Sequence, residues 1–159
     1  MEVAVRTTID APRKAVWDYL THQDQRLDFI EGLTRWEPEG PRHGGLGARF
    51  LMGMRVGSVE RGGLVEIVEF DPPVDLAWSG VTGVDQRGRW RLRRREEGGT
   101  DVELRLTYHA PGGLAGFIAA LVASPIVRRN LRRSLDEMKL RIESGPRASA
   151  RAGTARRTR

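Results

Sequence analysis

RWRLRRREEGGTDVELRL, residues 89–106, decides the fold. Trp90 and Leu92 stand two apart before a Glu-Glu-Gly-Gly turn, and Leu104 and Leu106 stand two apart after it. The residues between them are charged. Apolar–polar alternation of period two marks a strand with one face buried and one in water. Pairing the two halves around Glu97-Gly98-Gly99 sets Leu92 opposite Leu104 and Trp90 opposite Leu106. The same register sets Arg93 opposite Glu103 and Arg95 opposite Asp101, so one face is apolar and the other charge-matched. A slip by one residue would turn the apolar set to solvent.

Outward from this hairpin the same period continues. From Leu33 to His109 it predicts strands over 33–38, 47–55, 58–70, 74–80, 85–95 and 100–109. The breaks are Gly44-Gly45, Gly62-Gly63, Asp71-Pro72-Pro73 and Gly98-Gly99, with Gly62-Gly63 open to a second reading as a bulge within one bent strand. Upstream, Val3, Val5, Thr7 and Ile9 alternate as an opening strand. Asp10 can cap a following helix at about 12–20, and Pro12 suits its first turn. Val16, Trp17 and Leu20 give that helix an inward stripe, and a second short helix at about 24–30 ends at Gly32. Downstream of Pro111-Gly112-Gly113 the period turns helical. Leu114, Phe117, Leu121, Leu131, Leu135, Met138 and Ile142 form one stripe, with a break expected near Ala123-Ser124 because of Pro125. Gly145-Pro146 is expected to end the helix. The chain thus reads as one α+β domain over 1–145 and a disordered arginine-rich tail over 146–159.

Charge and composition narrow the function. The formal charge is +6, but Arg147, Arg151, Arg156, Arg157 and Arg159 carry five of those charges. The domain itself is close to neutral, which argues against nucleic acid as its partner, and no aromatic platform accompanies the arginines. Cysteine is absent, which removes disulfides, thiol nucleophiles and thiolate metal sites and fits a reducing cytoplasm. His22, His43 and His109 have no paired spacing, so neither a metal nor another cofactor is expected. The opening MEVAVR has no positive region before an apolar core, so no secretion signal is expected.

The element order is strand, two short helices, six strands and one long helix. With Ile9-Asp10-Ala11-Pro12 followed by Val16-Trp17, Gly47 to Phe50, Val65 to Pro73 ending Glu69-Phe70-Asp71-Pro72-Pro73, Leu76-Ala77-Trp78 and Gly99-Thr100, it resembles the START-like (SRPBCC) superfamily. The subgroup it most resembles is the bacterial polyketide cyclase/dehydrase and lipid-transport family. The resemblance spans roughly 1–143. It implies a helix-grip fold: a curved antiparallel sheet of about seven strands around a long C-terminal helix, with a cavity between them.

Alternation places Val3, Val5, Phe50, Met52, Met54, Leu76, Trp78, Trp90, Leu92, Leu104, Leu106 and Tyr108 inward, and the last helix adds Phe117, Leu121 and Met138. Phe50 through Tyr108 of this set, with Phe117 and Leu121, are the candidate ligand-binding residues. The alternative is a plain packed core. Gly112 to Val127 is apolar nearly all round and reads as a buried helix or a gate. Few polar groups are available for chemistry. Tyr108 shares the inward parity, Arg94 sits on it near a strand end, and Glu69 has no clear face. His109 falls on the charged side and His43 in a glycine-rich loop.

Two arginine clusters, Arg87/Arg89/Arg91/Arg93 and Arg128/Arg129/Arg132/Arg133, read as solvated faces or as weak contacts for an anionic membrane surface. The leading expectation is a monomer or homodimer that binds or carries a hydrophobic molecule: a lipid, isoprenoid or polyketide-like compound. The alternative is a cyclase or dehydratase using the same cavity.

Overall fold

The structure is a computed structural model and describes residues 2–22, 26–108 and 125–155. Strand β1 (Glu2–Ile9) leads into helices α1 (Arg13–Thr21) and α2 (Arg26–Phe29). Six strands follow: β2 (Leu33–Glu39), β3 (Arg49–Val56), β4 (Val59–Asp71), β5 (Asp75–Gly80), β6 (Gln86–Arg94) and β7 (Thr100–Tyr108). Helix α3 spans Pro125–Ala155. All seven strands form one antiparallel sheet in the order β1-β7-β6-β5-β4-β3-β2. Apart from β1, each strand lies beside its sequence neighbours, so the sheet is built from successive hairpins.

The inner face of this sheet is the core. Val5, Phe50, Val65, Leu76, Trp90, Leu92, Val102 and Leu104 are all but fully buried there, and Leu135 and Met138 of α3 meet them. Burial alternates along β6 and β7 as the sequence predicts.

The hairpin register differs from the predicted one by two residues. Trp90 faces Leu104, Leu92 faces Val102, and Arg94 closes the ladder on Thr100. The turn explains the shift. Gly98 and Gly99 both adopt positive φ (92° and 83°), which glycine reaches without strain. The Gly98 N–H donates to the Arg95 carbonyl and the Arg95 N–H to the Gly99 carbonyl, both at 3.2 Å, so the turn closes on Arg95 and Gly99 and centres on Glu97. A slip of two keeps every side chain on its predicted face. Arg95, just past the end of the ladder, still approaches Asp101 to 3.8 Å.

Three other expectations change. Asp10 does not cap α1: Pro12 is the N-cap, without a side-chain bond, and the Asp10 N–H donates to Glu143 Oε1 at 2.8 Å. Gly62-Gly63 neither ends nor bulges β4, whose pairing with β3 runs unbroken through both glycines. A Cβ on Gly62 would meet the Met52 carbonyl oxygen at 2.6 Å, and one on Gly63 would meet that of Thr82 at 2.1 Å, so close backbone approach is what these glycines serve. Finally, α3 continues past Gly145-Pro146. Gly145 lacks the Cβ through which a residue before proline is usually steered away from helical angles.

Helix α3 is fastened to β1 and to the turn after α2. Lys139 Nζ donates to the Thr8 carbonyl at 2.5 Å, and Arg132 Nη1 donates to the Arg6 carbonyl at 2.7 Å. Ser134, buried, accepts from the Glu31 N–H at 2.8 Å and donates to the Asn130 carbonyl at 2.9 Å. Pro125 opens α3, a position where its missing N–H is harmless. The helix segment expected upstream, Gly112 to Ser124, lies outside the described residues, as do Phe117, Leu121 and His109.

Candidate functional site

Two irregularities in the sheet place the site. A register shift between Leu33 and Arg35 sends both Leu33 and Trp36 inward, three residues apart. Trp36 then stacks on Phe50 with ring centroids 4.7 Å apart. On β6, Gly88 pairs with both Trp78 and Leu106. A Cβ there would lie 1.9 Å from Trp78 Cζ2 and 2.3 Å from Cε2 and Cη2, so the indole lies directly across this residue's backbone.

Between the inner sheet face and the first turns of α3 these side chains leave a pocket of about 50 Å³. Ile30 and Leu131 line it from the helical side, and Leu33, Trp36, Met52 and Met54 from β2 and β3. Trp78, Gln86, Trp90, Leu104, Leu106 and Tyr108 supply the remainder from β5 to β7. Among the described residues, none that lines it carries a charge.

Three polar groups interrupt this apolar wall. Gln86 is 6% exposed, and its Nε2 donates to the Met52 thioether at 3.9 Å. That is a weak bond, because a thioether is a poor acceptor. Among the described residues the Gln86 side chain has no other partner. Trp78 is 9% exposed, and its buried Nε1–H has no acceptor among the described residues. Tyr108 faces Gln86 across the β6–β7 ladder. Burial pushes its hydroxyl from the ordinary 10.0 up to about 12, so it is a neutral phenol at physiological pH.

Of the sequence-predicted ligand residues, Met52, Met54, Trp78, Trp90, Leu104, Leu106 and Tyr108 line the pocket. Phe50, Leu76 and Leu92 are instead packed into the core, at 2% exposure or less. Leu92 lies farther along β6, away from the pocket end, and Phe50 is covered by Trp36.

The three polar candidates do not converge. Glu69 pairs with Arg89 on the outer face. A register shift between Ile67 and Glu69 is what turns it there. Arg94 is exposed at the far end of β6, roughly 26 Å along the strand from Gln86 at about 3.3 Å per residue. Only Tyr108 lines the pocket. His43 is exposed in the loop between β2 and β3.

Gln86, Leu33, Trp36, Ile30 and Leu131 also line the pocket, though sequence did not name them as ligand residues. Gln86 shares the parity of Trp90, and that alternation was the signal available for it. Trp36 was hidden by the break in period two at Thr34.

The outer face carries much of the charge in paired form. Arg91 Nε lies 2.8 Å from Asp75 Oδ1, and Arg105 reaches both Glu103 at 3.0 Å and Glu2 at 3.2 Å. Burial opposes ionisation of Glu103. Hydrogen bonds and charge from Arg6 and Arg105 outweigh it and hold its carboxyl below the ordinary range. Among the described residues, no helix is long and apolar enough to cross a membrane.

A curved seven-stranded antiparallel sheet gripping a long C-terminal helix, with an apolar pocket between them, defines the helix-grip fold of the START-like superfamily. Within it, residues 1–143 match the family described as polyketide cyclase / dehydrase and lipid transport, and the chain belongs to that family. No curated protein matches the chain in sequence.

Several solved structures share its fold at low identity. A Thermus thermophilus protein is 20% identical at a TM-score of 0.75, over 91% of this chain and 99% of its own. The Zhui aromatase/cyclase of a Streptomyces species is 19% identical at a TM-score of 0.76, over 94% and 97%. The major latex-like protein 151 of Panax ginseng is 9% identical at a TM-score of 0.69, over 88% and 95%.

Proposed function

We propose that this chain binds a hydrophobic small molecule between its sheet and α3, as a carrier or sensor working in the cytoplasm. The observation that carries the reading is the uncharged pocket, whose wall gathers three of the four tryptophans of the sequence and two methionines around Gln86 and Tyr108. A mostly apolar wall with a few placed polar groups is the usual make-up of a small-molecule site. Family membership supports the same reading.

At about 50 Å³ the pocket has room for little more than a few waters. Ligand uptake therefore requires side chains to move. Met52 and Met54 are suited to that, since an unbranched thioether changes rotamer at low cost. Lipid, isoprenoid and polyketide-like compounds are the candidate guests.

The enzymatic alternative has less support. Of Tyr108, Glu69 and Arg94 only the first reaches the pocket, and a phenol this reluctant to ionise is no base near neutrality. Exposed Arg128 and Arg129 on α3 make no ion pair among the described residues and support weak contact with an anionic membrane surface.

Native mass spectrometry of the purified chain, with and without added lipid and polycyclic aromatic mixtures, tests the proposal. A bound mass together with quenching of tryptophan fluorescence is the expected result. No adduct and no quenching across the panel would refute it.

A further inference from the structure

We propose that the guest of this pocket is an uncharged molecule with a carbonyl oxygen on an otherwise apolar body, received by Trp78 Nε1–H and the Gln86 amide. This rests on the reading that the pocket binds a small molecule, and it adds which kind.

Three observations lead there. The first is the unmet donor. A buried N–H left without an acceptor costs free energy, and folded proteins keep such groups rare. Trp78 Nε1–H is one, among the described residues. A guest oxygen would remove that cost, which a pure hydrocarbon cannot do.

The second is the placement of Gln86. Trp78 pairs with Gly88, and Gln86 lies two residues before Gly88 on the same face of β6. The two side chains are diagonal neighbours across the ladder, and Gly88 puts no side chain between them. A primary amide offers two donors and a carbonyl, and here a thioether at 3.9 Å is its one partner among the described residues. Two weakly engaged or unengaged donors thus sit side by side in an apolar wall.

The third is charge. With no cation among the described residues that line it, an ionised carboxylate or phosphate would enter without a counter-charge, which is strongly unfavourable in a buried site. The pocket therefore selects against fatty-acid anions and in favour of ketones, esters and lactones.

Calorimetric titration with naphthalene, acetylnaphthalene and ionised naphthoate tests this on the full chain. These probes share one apolar body and differ only in the polar group. Acetylnaphthalene is expected to bind roughly 3- to 10-fold more tightly than naphthalene, the worth of one net hydrogen bond, and naphthoate the weakest of the three. Trp78→Phe keeps a ring and removes the N–H. It should abolish the preference for the ketone, read as the ratio of the two affinities within the variant so that any effect of the smaller ring on naphthalene cancels, and Gln86→Leu should reduce the same preference. Equal affinities for naphthalene and acetylnaphthalene, tightest binding of naphthoate, or a preference that survives both variants would overturn the inference while the pocket reading stands. Failure of all three probes to bind would instead remove the pocket reading, and the inference with it.

Discussion

The sharpest test of this architecture is to give residue 88 a methyl group. Gly88→Ala places a Cβ 1.9 Å from Trp78 Cζ2, well inside van der Waals contact. Relief by backbone movement is blocked, because Gly88 is paired to Trp78 on one side and Leu106 on the other. The indole must tilt instead, in a wall it shares with Trp90, Leu104 and Met52. Overpacking of this kind costs about 1–3 kcal/mol. Alanine recovers about 0.5–1 kcal/mol through lower backbone entropy in the unfolded chain.

The net loss is about 1–2 kcal/mol, which for a chain of this size lowers Tm by roughly 3–6 °C. Arg128→Ala is the control, at an exposed helical position. Away from packed sites such a change stays within about 0.5 kcal/mol, so its Tm should hardly move. Scanning calorimetry reads both, and near-ultraviolet dichroism reports whether the indole has moved. A Gly88→Ala variant with unchanged Tm and an unchanged tryptophan spectrum would refute the claim that the indole is seated on this residue.

Other contacts of the fold give outcomes of their own. Ser134→Ala strands the Glu31 N–H and should cost about 1–2 kcal/mol, with faster amide exchange at Glu31 if the bond to α3 is what holds that turn. The sequence has two tyrosines, and burial raises Tyr108 from 10.0 to about 12. The folded state then holds its proton more tightly than the unfolded chain, so stability is intact below pH 10 and falls as pH rises from 10 towards 12. Tyrosinate absorbance should therefore show a late transition that Tyr108→Phe removes. Glu103 behaves in the opposite sense. With its folded pKa lowered, its contribution is present above the ordinary carboxylate range near 4.3 and is lost as acid takes pH below that. Glu103→Gln should flatten that part of the acid unfolding curve.

Much of the fold was legible because its signals are local. Period-two alternation found the strands to within about two residues, since each strand is half-buried and must repeat that way. What alternation cannot see is an inserted residue. Thr34 and Val68 each occupy a bulge, so Trp36 and Phe70 point inward out of phase, and the face of Glu69 was ambiguous for the same reason. Register was harder than face, because the turn in which residues 98 and 99 both take positive φ centres on Glu97 and not on Gly98. That choice belongs to the turn and leaves no trace in the strand pattern. Within the site, parity recovered Met52, Met54, Trp78, Trp90, Leu104, Leu106 and Tyr108. It passed over Gln86, whose polarity argues for solvent until its neighbours are known, and over Leu131, which closes the pocket from another element.

The fastening of α3 along β1 has a bearing on how this sheet meets copies of itself. Carbonyls that a foreign strand would seek at Arg6 and Thr8 are already engaged by Arg132 and Lys139. That leaves β2 as the other border, where Pro38 withholds an N–H and Arg35, Glu37 and Glu39 add charge. Both rims of the sheet therefore discourage strand-by-strand growth, and fibril-type stacking would first require the last helix to peel away.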